Sequence, residues 1–218
     1  MNGQYVVHGA PGTGSVAVEA ALTLLGEPYA VVDRKTWKEL AESEEMARVN
    51  PLRQVPALVL PSGELMTESQ AILTYLADSH PAAGLSPAWD DPLRPRFLRW
   101  MSFLSAQVYA LYWIRDLPSR MAEGPKGEAL VKARTLQRIA ECWQVMDGQV
   151  APAGRFMLGD EISVLDLYLA VLSRWGPRRK GFYAAAPGLA PVVKAVDAEP
   201  RLAALWAARM PFADGWEG

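Results

Sequence analysis

Two small groups of residues in this 218-residue chain have the types and spacing for chemistry. The first is Glu68-Ser69, an acid and a hydroxyl opening a segment in which Ala71, Ile72, Tyr75 and Leu76 recur with a helical period. Backbone N–H groups in the first turn of a helix have no intrahelical partner and attract a carboxylate, while Glu68 beside them has the sign to hold an ammonium. Such a pair would grip the α-amino-acid end of a ligand. The second group is Thr13 and Ser15, hydroxyls in and after the loop Gly9-Ala10-Pro11-Gly12-Thr13-Gly14. Thr13 reads as a turn residue or as a donor to a bound group, and Ser15 as a helix N-cap or as a donor.

The elements that must position these residues are short. Arg53-Gln54-Val55-Pro56 leads into the apolar run from Ala57 to Leu60, and Pro56, having no N–H for a ladder, marks a strand entrance. The run stops at Pro61-Ser62-Gly63-Glu64 and resumes at Leu65-Met66, which predicts an antiparallel hairpin closed by a glycine-containing turn. Upstream, the pattern predicts a strand over residues 5–8, a helix over 15–25 stopped by Gly26, a strand over 29–33 and an amphipathic helix over 37–49. The resulting order of strand, helix, strand, helix, strand, strand, helix is thioredoxin-like. A rival pattern shares the same loop. Gly12-x-Gly14-x-x-Ala17, followed by Asp33 at the end of the next strand, meets the dinucleotide-binding fingerprint. The hairpin counts against it, because that fold needs another parallel strand at this point.

Prolines at 81, 87, 92 and 95 mark a linker over residues 81–95, dividing a first domain, 1–80, from a second, 96–218, that reads helical throughout. Helices are expected over 96–117, rich in aromatic residues, and over 127–150. Further on, Ser163 and Asp166 form a capping box with Asp in place of Glu, and Ile162 is placed to staple against Leu167.

Val55-Pro56-Ala57-Leu58, the hairpin, Glu68-Ser69 and the Gly159-Asp160-x-x-Ser163-x-x-Asp166 box together resemble the glutathione transferase superfamily. The resemblance covers both halves of the chain. It implies an α/β thioredoxin-like N-terminal domain followed by an all-α helical-bundle C-terminal domain. It also implies a cis proline at 56, main-chain pairing of Val55 with the cysteinyl part of glutathione, and Glu68 and Ser69 on the γ-glutamyl end. Arg53 and Gln54 would reach the peptide or the glycine carboxylate, with Trp37 and Lys38 covering that end. The family's activating Tyr, Ser or Cys is missing: Gly12 stands at the usual serine position, and a loop cysteine would fall near Gly14. A thiolate is favoured by hydroxyl donors near a helix N-terminus. That leaves Thr13 and Ser15 as the candidates, the main-chain N–H groups of Gly12 to Ser15 beside them, and Tyr5 further off. Tyr109, Tyr112, Trp113, Ile114 and Arg115 would line a site for a hydrophobic electrophilic small molecule. The family also implies a homodimer. The activity implied is conjugation of glutathione, with glutathione-dependent disulfide reduction or a non-catalytic protein-binding scaffold as alternatives.

Composition narrows the remainder. A net charge of -2 without a basic block gives no field for nucleic acid. A lone Cys142 leaves no internal disulfide or Cys-x-x-Cys motif and suits a reducing cytoplasm, and with only His8 and His80 no zinc site is expected. No apolar run is long enough to span a bilayer, so no membrane is expected as a partner.

Overall fold

A computed structural model describes residues 3–34 and 40–212; Trp37 and Lys38 lie outside them. The N-terminal part runs β1 (Tyr5–Gly9), α1 (Ser15–Leu25), β2 (Tyr29–Asp33), α2 (Leu40–Val49), β3 (Ala57–Val59), β4 (Leu65–Met66) and α3 (Ser69–Ser79). The sheet order is β2-β1-β3-β4. β1 and β2 are parallel, whereas β3 runs antiparallel to β1 and β4 antiparallel to β3. This mixed sheet is the thioredoxin-like arrangement, and the antiparallel β3 removes the doubly wound parallel sheet on which the dinucleotide reading depended.

α1 has the composition of a helix enclosed on every side, and its residues from Ser15 to Leu22 are buried. It ends at Gly26, whose φ of 70° is the left-handed conformation that lets its N–H turn back to the carbonyls of Leu22 and Thr23. The Val55–Pro56 peptide is cis and sits at the mouth of β3.

The remainder is helical: α4 (Arg94–Phe103), α5 (Ala110–Asp116), α6 (Gly124–Gln149), α7 (Val164–Leu172), α8 (Arg178–Ala185), α9 (Ala190–Asp197) and α10 (Ala203–Arg209). The single helix expected over 96–117 is divided, because Leu104–Tyr109 forms a π-helical segment between α4 and α5. Every residue of α7 is buried, so it is the axis of this half. Burial of each of its leucines is worth roughly 1.5–3 kcal/mol. The capping box forms, with the Ser163 N–H donating to Asp166 Oδ2 at 2.9 Å and the Met157 N–H to Oδ1 at 2.8 Å. Ile162 and Leu167 are both buried at this end. One apolar core runs through both halves, from Val16, Ala20 and Ile72 to Leu104, Leu165 and Tyr168. α1 packs on α7 and α10 as well as on α3, so the loop before α1 lies against the helical half.

Candidate active site at the junction of the two halves

The loop between β1 and α1 is held from both halves. The Gly12 N–H donates to the carbonyl of Arg209 at the end of α10 (2.8 Å), and the Gly12 carbonyl accepts from the Trp175 indole N–H (2.8 Å). Below the loop, Arg209 grips the buried Glu19 of α1 through Nε at 2.7 Å and a second nitrogen at 3.1 Å, and also reaches Asp33 at 2.8 Å. Burial pushes the Glu19 carboxyl up, opposed by its bonds to Arg209 and Ser15. Glu19 is the only charged residue in an otherwise apolar helix, a sequence sign that a buried partner must exist. Nothing local indicates that the partner lies 190 residues away.

The two candidate hydroxyls differ. Ser15 is fully buried; its Oγ accepts the Ala10 N–H at 3.2 Å and lies 3.0 Å from Glu19 Oε1, so it faces inward as the first residue of α1. Thr13 is partly exposed, donates to the Ala10 carbonyl at 2.8 Å, accepts the Ser15 N–H at 3.3 Å and lies 2.9 Å from Ser15 Oγ. Of the main-chain N–H groups named as anion donors, Gly12 is engaged on Arg209, Thr13 on Ala10 (3.2 Å) and Ser15 on Thr13, while Gly14 lies against the Tyr109 hydroxyl. Tyr5 starts β1, four residues before its loop end, which places it roughly 13 Å from the loop at ~3.3 Å per residue.

Across the cleft, β3 begins only at Ala57, so the Val55 main chain lies outside the ladder. Its carbonyl accepts from the Tyr109 hydroxyl at 3.4 Å. Arg53 is exposed, with φ at 53°, and donates to Glu44 at 3.0 Å. Gln54 is partly buried, and its carbonyl accepts from Asn50 at 2.9 Å. Glu68 stands as the N-cap of α3, exposed, with φ 64° and ψ 103°, and no side chain caps the helix there. A non-glycine residue at such angles is strained at about 1–3 kcal/mol, which surrounding structure must offset. Ser69 is buried and its hydroxyl lies 2.8 Å from that of Tyr168 in α7, which joins the open end of α3 to the helical core.

The aromatic cluster divides by orientation. Tyr112 is core, with its hydroxyl on the Leu172 carbonyl at 3.2 Å. Trp113 turns outward under Arg120, 4.1 Å from the guanidinium to the ring centroid. Tyr109 alone of the group reaches the loop, wedged 5.0 Å from Trp175 and 6.2 Å from Tyr168 between ring centroids. Burial pushes its phenol well above the usual range, with the neighbouring Tyr168 adding to the effect. Among the described residues no group of His, Cys, Asp and Glu is arranged to hold a metal ion, and no helix is long and apolar enough to cross a membrane.

A thioredoxin-like sheet followed by an all-helical second half is the glutathione transferase architecture. The chain belongs to the glutathione S-transferase family. Residues 15–79 match the family model of the glutathione S-transferase N-terminal domain. The chain is 32% identical to the uncharacterized GST-like protein YncG of Escherichia coli K12 over 90% of its own length and 94% of that protein. Among solved structures it is similar to a Sulfitobacter glutathione transferase homolog with bound glutathione, with a TM-score of 0.84 and 27% identity, covering 97% of this chain and 100% of that one. It is also similar to a sphingomonad glutathione S-transferase complexed with glutathione, with a TM-score of 0.75 and 30% identity, covering 94% of this chain and 98% of that one.

Proposed function

We propose that this chain is a glutathione transferase that binds glutathione between the β1–α1 loop, Val55 and the N-terminus of α3, and presents its thiolate to a hydrophobic electrophile. The observation that carries the proposal is the Val55 main chain, left outside the β3 ladder and linked through Tyr109 and Tyr168 to an α3 end that no side chain caps. A peptide laid along Val55 pairs main chain to main chain, as an added strand does. Its γ-glutamyl carboxylate meets the Ser69 hydroxyl and the free N–H groups of the first turn of α3, and its ammonium meets Glu68. Arg53 and Gln54 stand at the other end of the peptide. Thr13 is the loop hydroxyl nearest to solvent, and Ser15 acts through it by way of their 2.9 Å contact. The bound glutathione in the Sulfitobacter and sphingomonad relatives supports this reading.

Calorimetric titration with glutathione tests it. The wild type is expected to bind in the micromolar-to-millimolar range, and the Glu68→Ala/Ser69→Ala double variant at least ~100-fold more weakly, since both charge-assisted contacts are lost. Equal binding by the two proteins sinks the site. Turnover of a chloronitrobenzene, against reduction of hydroxyethyl disulfide, then separates conjugation from disulfide chemistry. We further infer a homodimer, which sedimentation equilibrium checks.

A further inference from the structure

The loop of the first half is short of donors for a thiolate, and the second half supplies one. At the position where the family carries its activating side chain there is Gly12, whose N–H and carbonyl are taken by Arg209 and Trp175. The Thr13 hydroxyl has the Ala10 carbonyl at 2.8 Å, and Ser15 is buried against Glu19. One hydroxyl in the cleft has only a poor acceptor. Tyr109 donates to the Val55 carbonyl at 3.4 Å, beyond the ordinary range for an O–H donor. That carbonyl is the one a bound peptide N–H engages if glutathione lies as proposed.

Resting on that reading, we propose that Tyr109 is a catalytic residue: its hydroxyl swings from the Val55 carbonyl to the sulfur of bound glutathione and donates a hydrogen bond to the thiolate. The thiol proton leaves to bulk water, the electron pair stays on sulfur, and the tyrosine keeps its own proton throughout. Three further observations converge on this assignment. Tyr109 closes the π-helical segment Leu104–Tyr109, and such wide turns re-aim a side chain and cluster at functional sites. The loop is shaped around the hydroxyl, since a Cβ built on Gly14 would stand 2.2 Å from the Tyr109 oxygen, so any larger residue at 14 evicts it. The ring is fixed by Trp175 at 5.0 Å and Tyr168 at 6.2 Å, so the phenol oxygen is held in place before a ligand arrives and only its O–H bond has to turn.

The test compares wild type, Tyr109→Phe, Gly14→Ala and Thr13→Val, each first checked for an unchanged melting profile. The pH dependence of thiolate ultraviolet absorbance in the glutathione complex is then followed, together with kcat/KM for a chloronitrobenzene. Phe at 109 keeps the ring contacts and removes only the O–H. The expected result is a thiol pKa raised by about 1–2 units and kcat/KM lowered roughly 10- to 100-fold, with glutathione affinity within about 3-fold of wild type. Gly14→Ala is expected to reproduce the pKa rise by displacing the hydroxyl. A thiol pKa unchanged in Tyr109→Phe, or one that depends on Thr13 alone, overturns the proposal while leaving the binding site standing. Loss of glutathione binding in Tyr109→Phe also overturns it, because the hydroxyl then serves binding. Failure of wild type to bind glutathione removes the underlying reading itself.

Discussion

Two helix N-termini in this molecule solve the same problem in opposite ways. At α7 the first-turn N–H groups are answered by the chain itself, Val164 by the Leu85 carbonyl at 2.9 Å and Asp166 by the Ser163 carbonyl at 3.1 Å. Asp166 is fully buried and accepts from the Ser163 N–H, the Met157 N–H and the Ser163 hydroxyl (2.6 Å). At α3 no side chain caps the helix, the N-cap Glu68 is held at a positive φ, and its carboxylate is in solvent. A closed end contributes stability. An open end beside a peptide-like edge keeps its N–H groups for something that is not part of the chain.

The contrast is broken or sharpened most strongly at Asp166. Asp166→Ala leaves three buried donors without an acceptor and is expected to cost about 3–5 kcal/mol in urea unfolding. The Glu68→Ala/Ser69→Ala variant is expected to lose less than about 2 kcal/mol, its damage falling on ligand binding instead. A comparable stability loss at both ends would show that α3 is closed after all. The pH profile adds a second handle. Burial lifts the Asp166 carboxyl to about 6 against its hydrogen bonds, so the folded state takes up a proton between pH 6 and the ~4 of an unfolded aspartate. With the folded pKa above the unfolded one, this group's contribution grows as pH falls through that window and is flat above it. Asp166→Asn removes that slope from the melting temperature.

Where recognition was local, the sequence was enough. The hairpin strand Leu65–Met66, the stop at Gly26 and the Ser163–Asp166 box all rest on neighbours within several positions, and each forms as expected. The π-helical turn was not legible, because the phase shift that one extra residue gives to apolar spacing cannot be read within a six-residue segment. Nor were the clasps on the β1–α1 loop: Trp175 and Arg209 reach Gly12 and Glu19 across 163 and 190 residues. Tyr109 was legible as an aromatic near a cleft. That its hydroxyl end rather than its ring face meets the loop follows only from how α1, α7 and α10 pack.

The loop end of α1 stands between the two extremes, since it is closed by distant residues. Arg209→Met is expected to cost about 3 kcal/mol, because it leaves the Glu19 carboxylate buried without its counter-ion. Burial already raises that carboxyl and Arg209 opposes the rise, so losing the arginine moves the folded pKa further above the unfolded value. The deficit against wild type is therefore largest at neutral pH and shrinks as pH falls through the raised pKa. Glu19→Gln in the same chain is expected to restore most of the loss at pH 7, as measured by denaturant midpoint. No recovery would place the cost in the Asp33 contact instead.

The smallest effect tests whether long-range closure matters to binding at all. Trp175→Phe keeps an aromatic ring against Tyr109 and Tyr112, each 5.0 Å away, but removes the 2.8 Å bond to the Gly12 carbonyl. A single neutral hydrogen bond is worth about 0.5–1.5 kcal/mol, so the melting temperature should fall only slightly. The loop, however, has just two clasps on Gly12 among the described residues, and the Arg209 main-chain contact is the other. Freeing one lets Gly12–Gly14 explore more conformations, and glutathione then has to order them on binding. An affinity loss of roughly 2- to 5-fold is the expected reading, about the free energy of the bond itself. If stability falls and affinity does not, the indole acts only as packing, and the α1 end belongs with α7 as a structural closure.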